Sequence, residues 1–492
     1  MAVGAFVAVA FGASALAFLA RPLPRLGAAI GLAGLAVCLV LALLLTDGEG
    51  LSIGGERLTA TAYLRVFLAL GAAVALLLCL LGLATGGQHH VAGVYAAALG
   101  AAAAALALPA SPSAALAATI GGVGGILVAG AERPDPGSVR VASRYLRAVA
   151  AAGALAVVAS VWLSGIYGAI PIDPLATGVA LVTMALALAI RFGAFPFHAW
   201  AARLAETAPQ VAVPLLLAWL PAILFAVALA WSHQVVLPQT LELPIERGAI
   251  IGLGILTLVL GAVGSWIQDD VDHVVGYSVV QDAGFFLIAF GALDRALWEP
   301  ARTWLFYFVL AKSALAGWVA AVRAIHGTDR LPELDGWARR SPLLAIGLVA
   351  ALATGLGVPG LASWDARLAI LEGATDGPAR WLAFAGWGLG YVAAGRILLV
   401  GLRRQGERAR AAADQRPHRP PPEPSVSGPL PHLLRLVRLA AATWETNRLP
   451  LATALVLALA LLGLVLAVAP GPIPVAAQGG PPLPSAGLAP GP

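Results

Sequence analysis

The stretch RFGAFPFHAWAARLAETAPQVAVPLLLAWLPAILFA occupies residues 191–226. It starts with an arginine at the end of an apolar run, passes Gly193 and Pro196, and then becomes apolar again. Glycine and proline interrupt helices, so the pattern predicts a helix that stops and restarts. A cation beside such a break, within an apolar chain, is typical of a membrane helix that is opened for transport.

The rest of the chain has the composition of a membrane protein. Of its 492 residues, 60% are hydrophobic and 11% are charged, whereas a soluble domain carries about 25% charged residues. This composition excludes a soluble enzyme, a disordered protein and a nucleic-acid binder, although the formal net charge is +5. Both cysteines, Cys38 and Cys79, lie in apolar segments, which excludes a disulfide framework, a cysteine-ligated zinc site and an iron–sulfur cluster.

Apolar segments long enough to cross a bilayer recur along the chain. A window of about 20 residues finds fourteen of them: 2–20, 26–45, 63–84, 91–109, 113–130, 146–165, 175–193, 212–231, 248–266, 272–292, 302–324, 342–360, 381–402 and 450–469. These runs are too long and too uniformly apolar for barrel strands. The predicted fold class is therefore all-α, a polytopic membrane protein with about 14 transmembrane helices.

The arginines predict how the chain lies in the membrane. If the N-terminus is outside, 20 loop arginines fall on one face and only six on the other: Arg57, Arg65, Arg247, Arg295, Arg302 and Arg380. Positive loops stay in the cytoplasm. We therefore expect a multi-pass protein of the cell (inner) membrane with both termini on the external side.

Composition also divides the chain into five parts. Residues 1–90 hold helices 1–3, and residues 91–402 hold helices 4–13. Residues 403–448 read as a basic, proline-rich cytoplasmic linker followed by an interfacial helix. The last transmembrane helix is predicted at 449–470, and a disordered tail at 471–492.

A second interrupted helix lies in ATGLGVPGLASWDARLAIL, residues 353–371, where glycines and Pro359 precede Arg367. The interruptions fall in segments 7 and 12, about five spans apart. This spacing predicts two inverted five-helix repeats, segments 4–8 and 9–13. The alternative is a pair of ordinary proline kinks.

Of the charges within apolar segments or beside an interruption, four are singled out: Arg191, Asp282, Lys312 and Arg367. Burying a charge in lipid costs a few kcal/mol, so such residues usually face the bundle interior. Static pairing between helices and a role in transport both remain open. Asp282 and Lys312 lie mid-span on consecutive helices, so we expect them to approach each other or to share a short water chain.

Three stretches together resemble the antiporter-like subunits shared by respiratory complex I, membrane-bound hydrogenases and multisubunit sodium/proton antiporters. They are residues 191–226, with the motif PFHAW; residues 266–287, WIQDDVDHVVGYSVVQDAGFFL; and residues 339–371, which end in GVPGLASWDARLAIL. The resemblance covers about residues 90–400 and is strongest for the N-type subunit of NADH-quinone oxidoreductase. It implies that residues 91–402 form the proton-translocation core. It implies a proton-translocating subunit coupled to redox chemistry on other chains.

The resemblance also assigns positions. Arg191 and Arg367 fall where the family has lysines in the seventh and twelfth helices, and Asp282 falls at its tenth-helix polar site. Lys312 falls close to a polar site of the eleventh helix. The family's fifth-helix glutamate falls near Thr119, where this chain has no acid. Arginine stays charged whereas a buried lysine can lose its proton, so the two arginines can bias a water chain but cannot release protons.

The predicted proton pathway therefore combines fixed cations with titratable groups. His198 either relays protons or only bonds backbone carbonyls. The complete predicted set is Arg191, His198, Glu206, Asp282, Lys312 and Arg367. No catalytic residue, metal or cofactor is predicted in this chain.

The expected partners are the lipid bilayer and other membrane subunits of a complex I-like assembly. NADH and quinone, if bound at all, would be bound by those other subunits, and no nucleic acid is expected. Two other functions stay open. One is a non-pumping paralogue that serves as a membrane scaffold; the other is a separate transporter or a cation/proton antiporter subunit.

Overall fold

A computed structural model describes residues 2–87, 90–108, 110–130, 136–166, 173–403 and 432–479. Its first half is helical except for one hairpin. The helices are α1 Ala2–Leu19, α2 Pro24–Leu43, α3 Ala62–Ala84, α4 Val91–Leu106, α5 Pro112–Gly124, α6 Ile126–Ala129, α7 Pro136–Ile166, α8 Pro174–Phe192, α9 Ala199–Thr207 and α10 Leu220–Trp231. Strands β1 Gly50–Ile53 and β2 Glu56–Thr59 pair antiparallel, with Gly50 opposite Thr59.

The second half contains the central helix of the bundle. Its helices are α11 Pro244–Ile267, α12 Val271–Ala292, α13 Trp298–His326, α14 Trp337–Arg340, α15 Pro342–Leu356, α16 Ala362–Ala374, α17 Gly377–Leu402, α18 His432–Val468 and α19 Pro472–Gln478. Every residue from 301 to 322 of α13 is buried. Two π-helical turns, Leu215–Trp219 and Ser232–Val236, flank α10.

The predicted membrane segments are present. Among the described residues, twelve helical segments are long and apolar enough to cross a membrane. The two shorter apolar helices, α4 and α15, bring the set to the fourteen segments predicted from sequence. The all-α polytopic fold class is therefore confirmed.

Both predicted interruptions are confirmed. Helix α8 ends at Phe192, Gly193 adopts a left-handed φ of +63°, and the chain becomes helical again at Ala199. Helix α15 ends at Leu356, Gly357 has φ +79°, and α16 starts at Ala362. Positive φ is a conformation that glycine adopts without a steric penalty.

The last span lies at Asn447–Val468, close to the predicted 449–470. It is continuous with the residues before it in one helix, α18, with Pro450 inside it. A proline removes one backbone hydrogen bond without having to end a helix, especially where the surroundings satisfy the freed carbonyl. The linker residues 404–430 lie outside the described residues.

Part of the predicted disordered tail is helical instead. Residues 472–478, predicted disordered, form α19, while residues 480–492 lie outside the described residues. Ile473 and Ala477 of α19 are buried. Arg302 donates to the carbonyls of Ala477 at 2.9 Å and Gly479 at 2.6 Å, so contacts made only in the folded chain order this apolar segment.

The two ends of the bundle differ in character. The hairpin end carries β1–β2, the start of α13 and α19, which surround a cavity of about 340 Å³. The opposite end, called here the arginine-rich end, encloses a cavity of about 670 Å³ lined by residues that include Arg21, Gln210 and Arg323.

Candidate ion-pathway site

Three helices bring three charged side chains together in the bundle interior. Asp282 comes from α12, Lys312 from α13 and Arg367 from α16, and each is at most 5% exposed. Lys312 Nζ lies 2.7 Å from Asp282 Oδ2, and Arg367 Nη2 lies 2.5 Å from Asp282 Oδ1. The predicted approach of Asp282 and Lys312 is confirmed. Arg367 as a third member was not predicted. We call these three residues the charge triad.

Lys312 is fully satisfied as an ammonium. Besides Asp282, it donates to the Ser278 backbone carbonyl at 3.0 Å and the Ser278 hydroxyl at 2.9 Å. An ammonium has three N–H donors, so all three are used. Ser278 lies one helical turn before Asp282, so α12 presents both residues to Lys312 on the same face.

The interruption between α15 and α16 supplies a hydrogen-bond acceptor for Arg367. Because α15 ends at Leu356, the last carbonyls of this helix lack intrahelical partners. Arg367 donates to the Gly355 carbonyl, and the Trp387 indole donates to the Leu356 carbonyl at 2.8 Å. The guanidinium also lies 3.8 Å over the Trp304 ring, a favourable arrangement for a buried cation.

The charge triad contains one more cation than acid when Lys312 is protonated. Arginine does not release its proton in proteins, whereas a buried lysine can. Arg367 is therefore the permanent cation of the charge triad, whereas Lys312 is a cation that can change charge. With Lys312 neutral, the three charges sum to zero.

A small cavity reaches Lys312 between α12, α13, α15 and α17. It measures about 40 Å³ and extends to Val271, the first residue of α12. Ser265, Ser278, Gln281 and Lys312 are the polar residues of walls that are mostly apolar. A water needs roughly 10–15 Å³ of such volume, so the cavity has room for a short file of water toward the arginine-rich end.

Arg191 lies apart from the charge triad. It is 2% exposed, and Tyr145 of α7 places its ring 5.7 Å from the guanidinium. Among the described residues, Nη1 and Nη2 have no hydrogen-bond partner. Helix α5 meets Arg191 at Gly122, where an added Cβ would lie 3.3 Å from Nη2. Thr119, the position expected from the resemblance, instead packs on Gly153 of α7, because it lies one turn away on α5.

The two remaining predicted residues lie outside the charge triad. His198 is partly buried, and its ring stacks on Phe195 at 5.3 Å. Glu206 is at the end of α9, paired with Arg203 at 3.2 Å and with His273 Nε2 at 3.5 Å. The structure thus joins three of the six predicted residues, and a pathway role for His198 or Glu206 stays a prediction.

A second ionic cluster, at the arginine-rich end, was not predicted. Arg323 bonds the carboxylates of both Asp272 and Asp329. Burial raises the pKa of Asp329, but the hydrogen bonds and charge of Arg323 outweigh this effect and hold the pKa below its ordinary value of 3.8. The pattern of loop arginines gave no signal for this contact, because residues 272 and 323 are distant in sequence.

Comparison with known proteins gives consistent matches. The family described as NADH:quinone oxidoreductase/Mrp antiporter, TM, matches residues 114–392. NADH-quinone oxidoreductase subunit N of Heliobacterium modesticaldum is 27% identical over 260 residues, which cover 52% of this chain and 52% of that protein. The chain spans about half the length of the curated relatives that it matches.

Solved structures share the fold over nearly the whole chain. A chain of respiratory complex I from Thermus thermophilus superposes with a TM-score of 0.70 at 20% identity, covering 96% of this chain and 98% of that one. A chain of the Mrp complex from Dietzia sp. DQ12-45-1b superposes with a TM-score of 0.72 at 16% identity, covering 97% and 99%. At these identities the likeness is one of fold.

Proposed function

Because the chain belongs to the NADH:quinone oxidoreductase/Mrp antiporter transmembrane family, we propose that it is a proton-translocating, antiporter-like membrane subunit. Its host would be a complex I-type NADH-quinone oxidoreductase or a related respiratory or hydrogenase complex. Redox chemistry on other subunits would drive the proton movement. The observation that carries the proposal is the buried charge triad, in which one titratable cation shares an acid with a permanent one.

In this proposal Lys312 alternates between two states. A proton arriving through water in the adjoining cavity binds the neutral Nζ, and the resulting ammonium is held by Asp282 and Ser278. When the electric field inside the bundle changes, the proton leaves Nζ for water on the side of Lys312 opposite that cavity. Arg367 stays charged throughout and stays paired with Asp282. His198 and Glu206 would belong to the approaches to this site.

The whole protein would sit in the cell membrane with both termini outside and residues 403–448 in the cytoplasm. The arginine-rich end would then be the cytoplasmic end. Sister membrane subunits would be the partners, since apolar helices with small-residue faces pack against neighbouring helices. NADH and quinone, if used, would bind to those other subunits.

Two substitutions of Lys312 test the proposal in vesicles that contain the assembled complex, with proton uptake followed by a pH-sensitive dye. Lys312→Met removes the charge, while Lys312→Arg keeps the charge but cannot release a proton. If Lys312 carries protons, both variants lose most of the uptake while the complex stays assembled. If Lys312→Arg pumps normally, Lys312 is only a structural ion-pair partner and the proposal fails. Exposed Arg203→Lys is the matched control.

The second candidate function is a membrane scaffold that no longer pumps. It is favoured by Arg191, a permanent cation where the resemblance has lysine, with no described acid beside it. A scaffold predicts that Lys312→Met and Asp282→Asn reduce the yield of assembled complex. Proton uptake per assembled complex would then be unchanged.

A further inference from the structure

Arg191 is a buried cation whose charge no described acidic side chain offsets. Its two terminal nitrogens have no hydrogen-bond partner among the described residues. Helix α5 faces it with Gly122, and α7 faces it with the ring of Tyr145. The Tyr145 hydroxyl donates to the Gly122 carbonyl at 2.7 Å, and its oxygen is an uncharged acceptor beside Arg191 that does not offset the guanidinium charge.

A second buried donor lies on the same aromatic ring. Trp200, on α9 beyond the interruption, packs edge-on against Tyr145 with ring centroids 5.8 Å apart. Its indole nitrogen Nε1 is buried and has no partner within the described ranges. Donors from both halves of the interrupted span, Arg191 before it and Trp200 after it, therefore lie against Tyr145, and no described carboxylate accepts from either.

An uncompensated guanidinium is costly here because it cannot become neutral. A buried lysine can shed its proton, but arginine keeps its charge. The charge of Arg367, by contrast, is offset by the Asp282 carboxylate, whose Oδ1 lies 2.5 Å from Nη2. Apart from histidines, the buried charged side chains of the described residues are four cations and two acids: Arg191, Arg302, Lys312, Arg367, Asp272 and Asp282.

We propose that a small inorganic anion of the size and charge of chloride binds beside Arg191. The two free guanidinium nitrogens would donate to it, and the Trp200 indole would supply a further donor. The anion would stand in for a carboxylate partner. Space limits its size, since an added Cβ on Gly122 already comes within 2.7 Å of the Val149 side chain. This proposed anion site does not depend on whether the chain moves protons.

The test measures the thermal unfolding midpoint of the full-length chain, with its associated subunits, in mild detergent. Chloride replaces gluconate at constant ionic strength, because gluconate is too large for the site. A ligand that binds only the folded state raises the midpoint. The unaltered protein should show a rise of a few degrees that saturates with chloride concentration.

Two variants locate the effect. Arg191→Gln removes the buried cation and should make the midpoint independent of chloride. Arg203→Gln removes an exposed arginine and should keep the saturable rise. A chloride effect that survives in Arg191→Gln would put the anion elsewhere and overturn the proposal.

Bromide supplies a direct readout that does not depend on variants. In crystals of the unaltered protein grown with bromide, anomalous scattering should show a peak within hydrogen-bond distance of the Arg191 guanidinium. No peak there, together with a midpoint that does not respond to chloride, would mean that water alone solvates Arg191, and the proposal would be wrong. If a variant fails to fold, the bromide peak decides.

Discussion

At the scale of single residues, Asp282 is the hub of the buried charges. It accepts from Lys312 and from Arg367, whereas neither cation has another carboxylate among the described residues. Removing one partner of a buried ion pair is strongly destabilising because it leaves an uncompensated charge. The three members of the charge triad should therefore respond unequally to substitution.

We expect Asp282→Asn to be the most damaging single change in the charge triad. It leaves two buried cations together, at a cost of about 3–5 kcal/mol. Lys312→Met leaves the Asp282–Arg367 pair neutral and should cost about 1 kcal/mol. The double variant should be less unstable than the sum of the singles. Unfolding in detergent measures all three, and strict additivity would mean that the residues are not coupled.

Asp329 gives a pH-dependent prediction. Its pKa is lowered in the folded protein, so the stabilisation it gives is present above the ordinary pKa of 3.8 and is lost as pH falls through the folded value. Asp329→Asn should cost about 1 kcal/mol at neutral pH. The difference from the unaltered protein should shrink as pH falls below 3.8 and disappear once pH is below the folded pKa. Exposed Asp376→Asn is the control, and a difference that persists in acid would contradict the assignment to Asp329.

At the scale of the helices, interruption matters more than length. Where α15 stops, its terminal carbonyls become acceptors for Arg367, Trp387 and Tyr391. An unbroken helix would use those carbonyls internally. The glycines at the breaks are therefore part of the site, because they let the chain leave the helix beside a buried cation.

Two glycines should respond to alanine in opposite directions. Gly357 has φ +79°, and an added Cβ would lie 3.0 Å from the Trp364 Cα, so Gly357→Ala should cost about 1–3 kcal/mol. Gly388 lies within helix α17 with nothing within 4 Å of an added Cβ. Gly388→Ala should therefore gain about 0.5–1 kcal/mol. Thermal unfolding of both variants checks the sign, and a Gly357→Ala protein as stable as the parent would contradict the reading.

At the scale of the whole molecule, the two ends differ in charge and in the elements they carry. The hairpin end holds β1–β2 and α19, with Arg302 between the Tyr63 and Trp298 rings. The arginine-rich end holds the open cavity and the cluster around Arg323. This asymmetry is what orients such a chain during insertion.

Labelling of single cysteines tests the orientation. Cys38 and Cys79 are buried and can be replaced by alanine. Ser52→Cys, on the exposed hairpin, should react with a membrane-impermeant reagent in cells whose outer layers have been removed. Gln405→Cys, in the linker outside the described residues, should react only after the membrane is permeabilised. The opposite pattern would invert the proposed topology.

Sequence alone determined the membrane class, the fourteen segments, both interruptions and the contact between Asp282 and Lys312. Apolar length, glycine and proline positions, and the rarity of buried charge are local properties, so they can be read along one chain. Matching depth on consecutive helices was enough to place those two residues opposite each other.

Only the tertiary structure decided which groups the buried cations contact. Arg367 joins Asp282 across 85 residues, Arg191 faces Gly122 and not Thr119, and α19 is ordered by Arg302. These contacts depend on how far each helix is rotated about its axis and on which helices become neighbours. The rotation of each helix is set by the packing of all the helices at once. A position assigned one helical turn away from the true one therefore exchanges a polar contact for an apolar one.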